Sequence, residues 1–213
     1  MRRLQDRESG TPRWSAQAKF TTPVPPAGLF RSLASTAAVL DVGCGNGRAL
    51  AYLADRGFRD LIGIDLSGEL VRQARTQVPI ARLLVCRSEA IALATASIDL
   101  ALCMAVLSYS VADVEARRVV AELYRVVRPG KSLYLTDFAE DPDLRCHYVA
   151  NSNRLGCWGI VRTQYGIVRH RTLDHLLKLF HGWQPVDCRS EPLLTWSNRM
   201  QPGVVVTLRR GAS

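Results

Sequence analysis

Asp41 stands just before Gly43, Gly45 and Gly47 in VLDVGCGNG, and Asp65 closes the apolar run LIGID. Glycines lack a Cβ, so a backbone rich in them can turn sharply and approach a ligand, and the free N–H groups of a following helix face the same point. Such loops often cradle diphosphates. The dinucleotide pattern G-x-G-x-x-G, however, asks for a glycine where this chain has Arg48, and the lysine and Ser/Thr of a P-loop are missing. Asp41 would repel a diphosphate and favour a positively charged group. A carboxylate placed as Asp65 is, at the end of a second strand, takes the two hydroxyls of a ribose. An adenosine ligand carrying a cation satisfies both, although singly Asp41 could cap a helix entry and Asp65 could be a turn residue.

These residues need strands that end where helices begin. Ala38–Val42 is a short β-branched run, and residues 47–56 continue it as a helix with Leu50, Leu53 and Ala54 on one face and Gly57 as its stop. Leu61–Asp65 is the second strand, Ser67 the N-cap of a helix containing Leu70, Val71 and Ala74, and Ala81–Cys86 the third strand. Asp99–Met104 is apolar almost throughout, as a central strand covered on both faces should be. Val114–Val127 repeats apolar residues at helical spacing up to Pro129, and Ser132–Asp137 is the fifth strand. Residues 139–170 show no sustained period and read as an insert of loops with a strand near 160–168. A helix over His170–Phe180, stopped by Gly182, and strands near Gln184–Arg189 and Val204–Arg209 complete the chain. Alternating strands and helices predict a parallel sheet with ligands at the carboxyl ends of its strands.

The 213 residues fit one domain, and 47% hydrophobic with 22% charged residues excludes a disordered chain. The charged opening MRRLQDRESG holds no secretory signal core, and the longest apolar stretch, residues 99–111, is shorter than the roughly 20 residues that cross a bilayer. Six scattered cysteines without a C-x-x-C pair suggest reduced thiols and a cytoplasmic protein. Cys146, His147, Cys157 and His170 could hold zinc, but their spacing matches no usual ligand pattern, so no metal is expected. The net charge of +9 is uneven: residues 1–20 hold five basic against two acidic residues, and residues 145–213 ten against three. Basic ends suit an anionic small molecule or a nucleic acid, or are simply a solvated face.

VLDVGCGNG, then GIDLS, SIDLALCMAVLSY and ELYRVVRPGKSLYLTDF together resemble the class I S-adenosylmethionine-dependent methyltransferases in their small single-domain form. The resemblance runs from about Ala38 to Phe138, and more loosely to Arg209. It implies an α/β, Rossmann-like, doubly wound fold: a mostly parallel seven-stranded sheet with the last strand antiparallel. It implies one methyltransferase domain over 1–213, with a lid or lead-in over 1–35, a cofactor-binding core over 36–138, a substrate-side insert over 139–170 and a C-terminal helix and strands over 171–213. S-adenosylmethionine is the implied cofactor. Asp41 and the loop Gly43, Cys44, Gly45, Asn46 and Gly47 would hold its methionine part, Asp65 its ribose, and Leu66 would pack on adenine. Where the family usually has an aspartate facing the adenine amino group this chain has Arg87, so Ser88 or Glu89 would substitute, or adenine would be held by packing and backbone alone. Backbone near Cys103 would meet the methionine amino group, and Leu107 to Tyr109 would face the methyl.

Methyl transfer asks a protein mainly to align a nucleophile and exclude water, with a base only where the acceptor is not already acidic. Base candidates are Tyr109, His147 and His170, and Trp14, Phe20, Tyr148 and Trp158 are candidates for a substrate wall. The expected function is methyl transfer to O or N of a small organic acceptor. An RNA or tRNA acceptor, a binding protein without catalysis, and a nicotinamide oxidoreductase disfavoured by Asp41 and Arg48 are the rivals.

Overall fold

The structure, a computed structural model, describes residues 24–31, 33–163, 166–195 and 199–212. Trp14, Phe20 and most of the expected lid lie outside the described residues. Among the described residues a seven-stranded sheet is built from β1 (Val39–Val42), β2 (Leu61–Asp65), β3 (Arg82–Val85), β4 (Ile98–Met104), β5 (Val127–Phe138), β8 (Trp183–Leu194) and β9 (Met200–Arg210). Their order is β3-β2-β1-β4-β5-β9-β8, and β9 runs antiparallel to both neighbours while the other pairs are parallel. The expected fold is therefore the observed one, with the last strand of the chain inserted between β5 and β8.

Five helices accompany the described sheet: α1 (Arg48–Ala54), α2 (Gly68–Gln77), α3 (Asp113–Val126), α4 (Arg145–Leu155) and α5 (Leu173–Leu177). One face of the sheet packs Leu50 and Leu53 of α1 and Val71 and Ala74 of α2 against Val39, Leu100 and Leu102. The other packs Ala116, Val119, Val120 and Leu123 of α3 and Leu176 of α5 against Leu40, Val42, Ala101 and Leu135. Strands buried on both faces have no polar side to show, which is why β1 and β4 read as apolar runs interrupted only by Asp41 and Asp99. Ser67 caps α2 as expected, its hydroxyl accepting Leu70 N–H at 3.3 Å.

Several boundaries differ from the sequence reading. β5 begins at Val127, with Arg128–Lys131 bulging out of register between the pairs Ile98–Val127 and Leu100–Ser132. The insert contains α4 and a separate hairpin, β6 (Ile160–Thr163) with β7 (Gly166–Arg169). α4 escaped detection because it buries Tyr148 while its neighbours Cys146, His147, Val149 and Ala150 stay exposed, so the sequence carries no apolar stripe. β8 runs past its expected end through Pro192, which an edge strand tolerates because its N–H side need not be paired. No helix among the described residues is long and apolar enough to cross a membrane.

Candidate active site

Between β1 and β4 the chain reverses its direction of travel across the sheet, and the glycine loop sits at the carboxyl end of this switch point. Gly43 has φ +70°, and a Cβ there would lie 2.6 Å from Val106 Cγ2, so a larger residue would push the loop after β4 away. Gly43 N–H and Cys44 N–H both donate to Ile64 O, at 2.8 and 2.9 Å. Asp65 continues the lacing: Oδ2 accepts Gly45 N–H at 2.9 Å and Oδ1 accepts Ser67 N–H at 2.8 Å. Each oxygen keeps lone-pair capacity for a further donor. Burial raises the Asp65 pKa, opposed by the N–H groups of Ser67, Gly45 and Leu66.

Asp41 lies beside this loop, 1% exposed, and neither carboxyl oxygen has a hydrogen-bond partner among the described residues. Burial pushes its pKa up to about 8; the neighbouring Asp65 adds to the rise and Arg48 opposes it. The sequence predicts a charge at Asp41, whereas burial in the folded chain favours its protonated form. Asn46 Oδ1 is a second buried oxygen without a partner there. Cys44 and Cys103 are buried, with their thiols raised mainly by burial, which makes them fillers and not nucleophiles.

At the end of β2, Leu66 is an exposed large apolar side chain, 44% accessible. In the loop after β3, the exposed Arg87 guanidinium lies 3.2 Å from Glu89 Oε1, and Ser88 Oγ lies 3.4 Å from Glu89 Oε2. The three residues thus form one small polar group.

Past β4, Ala105 adopts φ +54°, a left-handed conformation costly for a residue with a Cβ, and donates its N–H to Thr136 O at 2.7 Å. A 3-10 turn over Leu107–Tyr109 follows. Asp137 Oδ2 accepts Ser108 N–H at 2.9 Å, and burial pushes the Asp137 pKa up to about 6. From the opposite side Arg171, 3% exposed, donates to Leu107 O at 2.9 Å and Ser110 O at 2.6 Å. Asp113 joins the arrangement: Arg169 Nη1 and Arg171 Nε lie 3.0 and 3.3 Å from its Oδ1, and His175 Nε2 lies 2.9 Å from its Oδ2. Burial alone would raise the Asp113 pKa, but the His175 hydrogen bond and the arginine charges hold it below the usual range.

The base candidates lie in three different segments. Tyr109 lies in the clasped turn, and His170 is 3% exposed with Nδ1 3.0 Å from Tyr148 Oη. His147 is exposed on α4 and does not join them, because the adjacent Tyr148 takes the buried side of the helix. Tyr148 and the half-buried Trp158 do pack together, with ring centroids 5.6 Å apart. The zinc arrangement does not form: among the described residues no group of three or more His, Cys, Asp or Glu could hold a metal, and Cys146 is exposed. The sequence reading missed Asp113, Asp137, Arg169 and Arg171. Asp137 was signalled by its place at the carboxyl end of the fifth strand, and Arg169 and Arg171 by IVRHRTL, a run in which charges interrupt apolar residues.

A family model described as a methyltransferase domain matches residues 39–130, and the seven-stranded sheet with its last strand antiparallel is the one implied by the resemblance to class I S-adenosylmethionine-dependent methyltransferases. Among curated relatives, a malonyl-[acyl-carrier protein] O-methyltransferase of Salmonella typhimurium is 31% identical over 150 residues, 70% of this chain and 54% of the relative. Another of that name, from Enterobacter lignolyticus, is 37% identical over 51% of this chain and 43% of its own. The chain spans about half the length of these relatives. Among solved structures, an S-adenosylmethionine-dependent methyltransferase from Methanosarcina mazei superposes with TM-score 0.83 at 23% identity, covering 90% of this chain and 100% of that one. A Burkholderia thailandensis 1,6-didemethyltoxoflavin N1-methyltransferase, solved with S-adenosylhomocysteine, gives 0.65 at 23% identity over 87% and 76%.

Proposed function

We propose that this chain binds S-adenosylmethionine at the β1–β4 switch point and transfers a methyl group to an oxygen of a small carboxylate. The observation that carries the reading is the buried, unpartnered carboxyl of Asp41 beside a glycine loop in which a side chain at Gly43 would be strained at φ +70° and would press on Val106. Those features fit a cofactor bearing a sulfonium and an ammonium group. Asp41, Asn46 and the Gly43–Gly47 backbone would hold its methionine part, Asp65 its ribose, and Leu66 its adenine. Ser88 and Glu89 would face the adenine edge and Cys103 backbone the amino group.

When bound, the cofactor supplies a methyl group already activated by its positive sulfur. The chain's own residues then have to position the acceptor and keep water out. Asp137 and Arg171 hold the turn that carries Tyr109 from two sides, so the acceptor wall is set by buried hydrogen bonds. An ionised carboxylate needs no proton removed before it attacks. Support for that acceptor comes from the name of the curated relatives and from the basic balance of residues 145–213. We place the protein in the cytoplasm on its six free cysteines, and read 1–213 as one domain whose 139–170 segment lies on the acceptor side.

The test is calorimetric titration with S-adenosylmethionine, followed by detection of S-adenosylhomocysteine in the presence of a malonyl thioester. Binding with turnover is expected. Binding without turnover on any acceptor supports a non-catalytic cofactor-binding protein, a reading that Arg87 in place of the family's aspartate favours.

A further inference from the structure

α4 and the residue after β7 bring two polar side chains together beneath the substrate-side segment. Tyr148 Oη lies 3.0 Å from His170 Nδ1 and 2.9 Å from the amide nitrogen of Asp141. A backbone N–H can only donate, so Oη accepts from Asp141. An oxygen that accepts once can accept again, but the phenol's single proton has no other acceptor among the described residues, so it goes to His170. Nδ1 is therefore an acceptor, and the neutral ring carries its hydrogen on Nε2.

The surroundings keep the ring neutral and in place. His170 is 3% exposed and packs against the rings of Phe138 and Tyr148, each with its centroid 6.1 Å away. Burial pushes its pKa down to about 4, with the Asp141 carboxylate opposing. Nε2 has no hydrogen-bond partner among the described residues. The flanking Arg169 and Arg171 donate to the carbonyls of Val111, Leu107 and Ser110 around the turn after β4. Phe138 ends β5, directly after the Asp137 that holds the same turn. The imidazole is thus mounted beside the acceptor wall.

We propose that His170 gives Nε2–H as a hydrogen bond to an anionic oxygen of the acceptor, and that Tyr148 is the positioning residue that fixes this tautomer. The sequence reading named His170 as a base. A base would need the Nε2 lone pair, and the Tyr148–Nδ1 bond puts a proton there instead. The role suits an acceptor that arrives ionised, and no proton changes hands. The choice of acceptor rests on the methyltransferase reading above, whereas the tautomer does not.

The test uses the full chain labelled with 15N-histidine. It holds four histidines, and His170→Phe assigns the ring in question. Expected is an unprotonated Nδ1 and a protonated Nε2 from about pH 5 to 8, with the preference lost in Tyr148→Phe. The opposite tautomer, or a ring that gains a second proton within that window, overturns the proposal. Malonate added with S-adenosylhomocysteine is expected to move the Nε2 resonance, and His170→Phe to weaken malonate binding by about tenfold or more. An unmoved resonance at high malonate overturns the donor role. If S-adenosylhomocysteine fails to bind while the tautomer is as expected, the methyltransferase reading fails and the Tyr148–His170 assignment stands.

Discussion

A carboxyl group that is 1% exposed and lacks hydrogen-bond partners among the described residues opposes folding when ionised, and Asp41 is such a group. Its folded pKa of about 8 lies far above its ordinary value of 3.8, so the folded chain binds this proton more tightly than the unfolded chain does. The stabilisation is complete below the unfolded value and is lost as the pH rises through about 8. Asp41→Asn, which mimics the protonated form, should therefore raise the melting temperature at alkaline pH and flatten its decline above about pH 5, as thermal unfolding at two pH values would show. A cation binding beside Asp41 lowers its pKa and expels the proton. Calorimetry with S-adenosylmethionine at neutral pH, in two buffers of different ionisation heat, should report proton release in the wild-type chain and much less in Asp41→Asn. The location of Asp41 was legible in the sequence, but its protonation was not, because burial depends on residues that arrive from β2 and β4. Asp65 was legible as both a ligand candidate and a turn residue, and the structure gives it the second role while leaving oxygen lone pairs for the first.

At the scale of elements, the turn over Leu107–Tyr109 depends on groups distant in sequence. Arg171 satisfies the Leu107 carbonyl within it and the Ser110 carbonyl just after it, and shares Asp113 with Arg169. Arg171→Leu leaves those carbonyls and part of the Asp113 charge without a donor, which should cost about 3–5 kcal/mol in urea unfolding. Arg171→Lys should recover only part of this, because an ammonium cannot reproduce the guanidinium fork. Such contacts were invisible to periodicity: Arg169 and Arg171 are charged residues inside the protein, and α4 is a helix with almost no apolar face. The core elements were legible for the opposite reason. α3 presents Ala116, Val119, Val120 and Leu123 on one side, and Ser67 announces α2 with a side chain that can only be useful at a helix start.

Across the whole molecule, alternation of strands and helices was enough to predict a parallel sheet and to confine the search for chemistry to strand ends. The antiparallel direction of the last strand came from the family resemblance, and its place between β5 and β8 from the structure. Neither strand length nor periodicity distinguishes a parallel neighbour from an antiparallel one in a buried sheet. The charge asymmetry was legible in sequence, and the fold explains part of it: Arg169 and Arg171 are buried structural groups, so they do not count toward a basic surface. That subtraction weakens the nucleic-acid reading and leaves a smaller field for an anionic acceptor.

The central claim is that the loop between β1 and α1 takes a cationic sulfur nucleoside. It is tested most directly by titrating the chain with S-adenosylmethionine and, separately, with NADH, and repeating both with Asp65→Ala. The account predicts saturable binding of the first alone, weakened in the variant by roughly 1.5–3 kcal/mol, the range for hydrogen bonds to a charged group. Tight NADH binding without S-adenosylmethionine binding, or an affinity for S-adenosylmethionine that Asp65→Ala leaves unchanged, would contradict it.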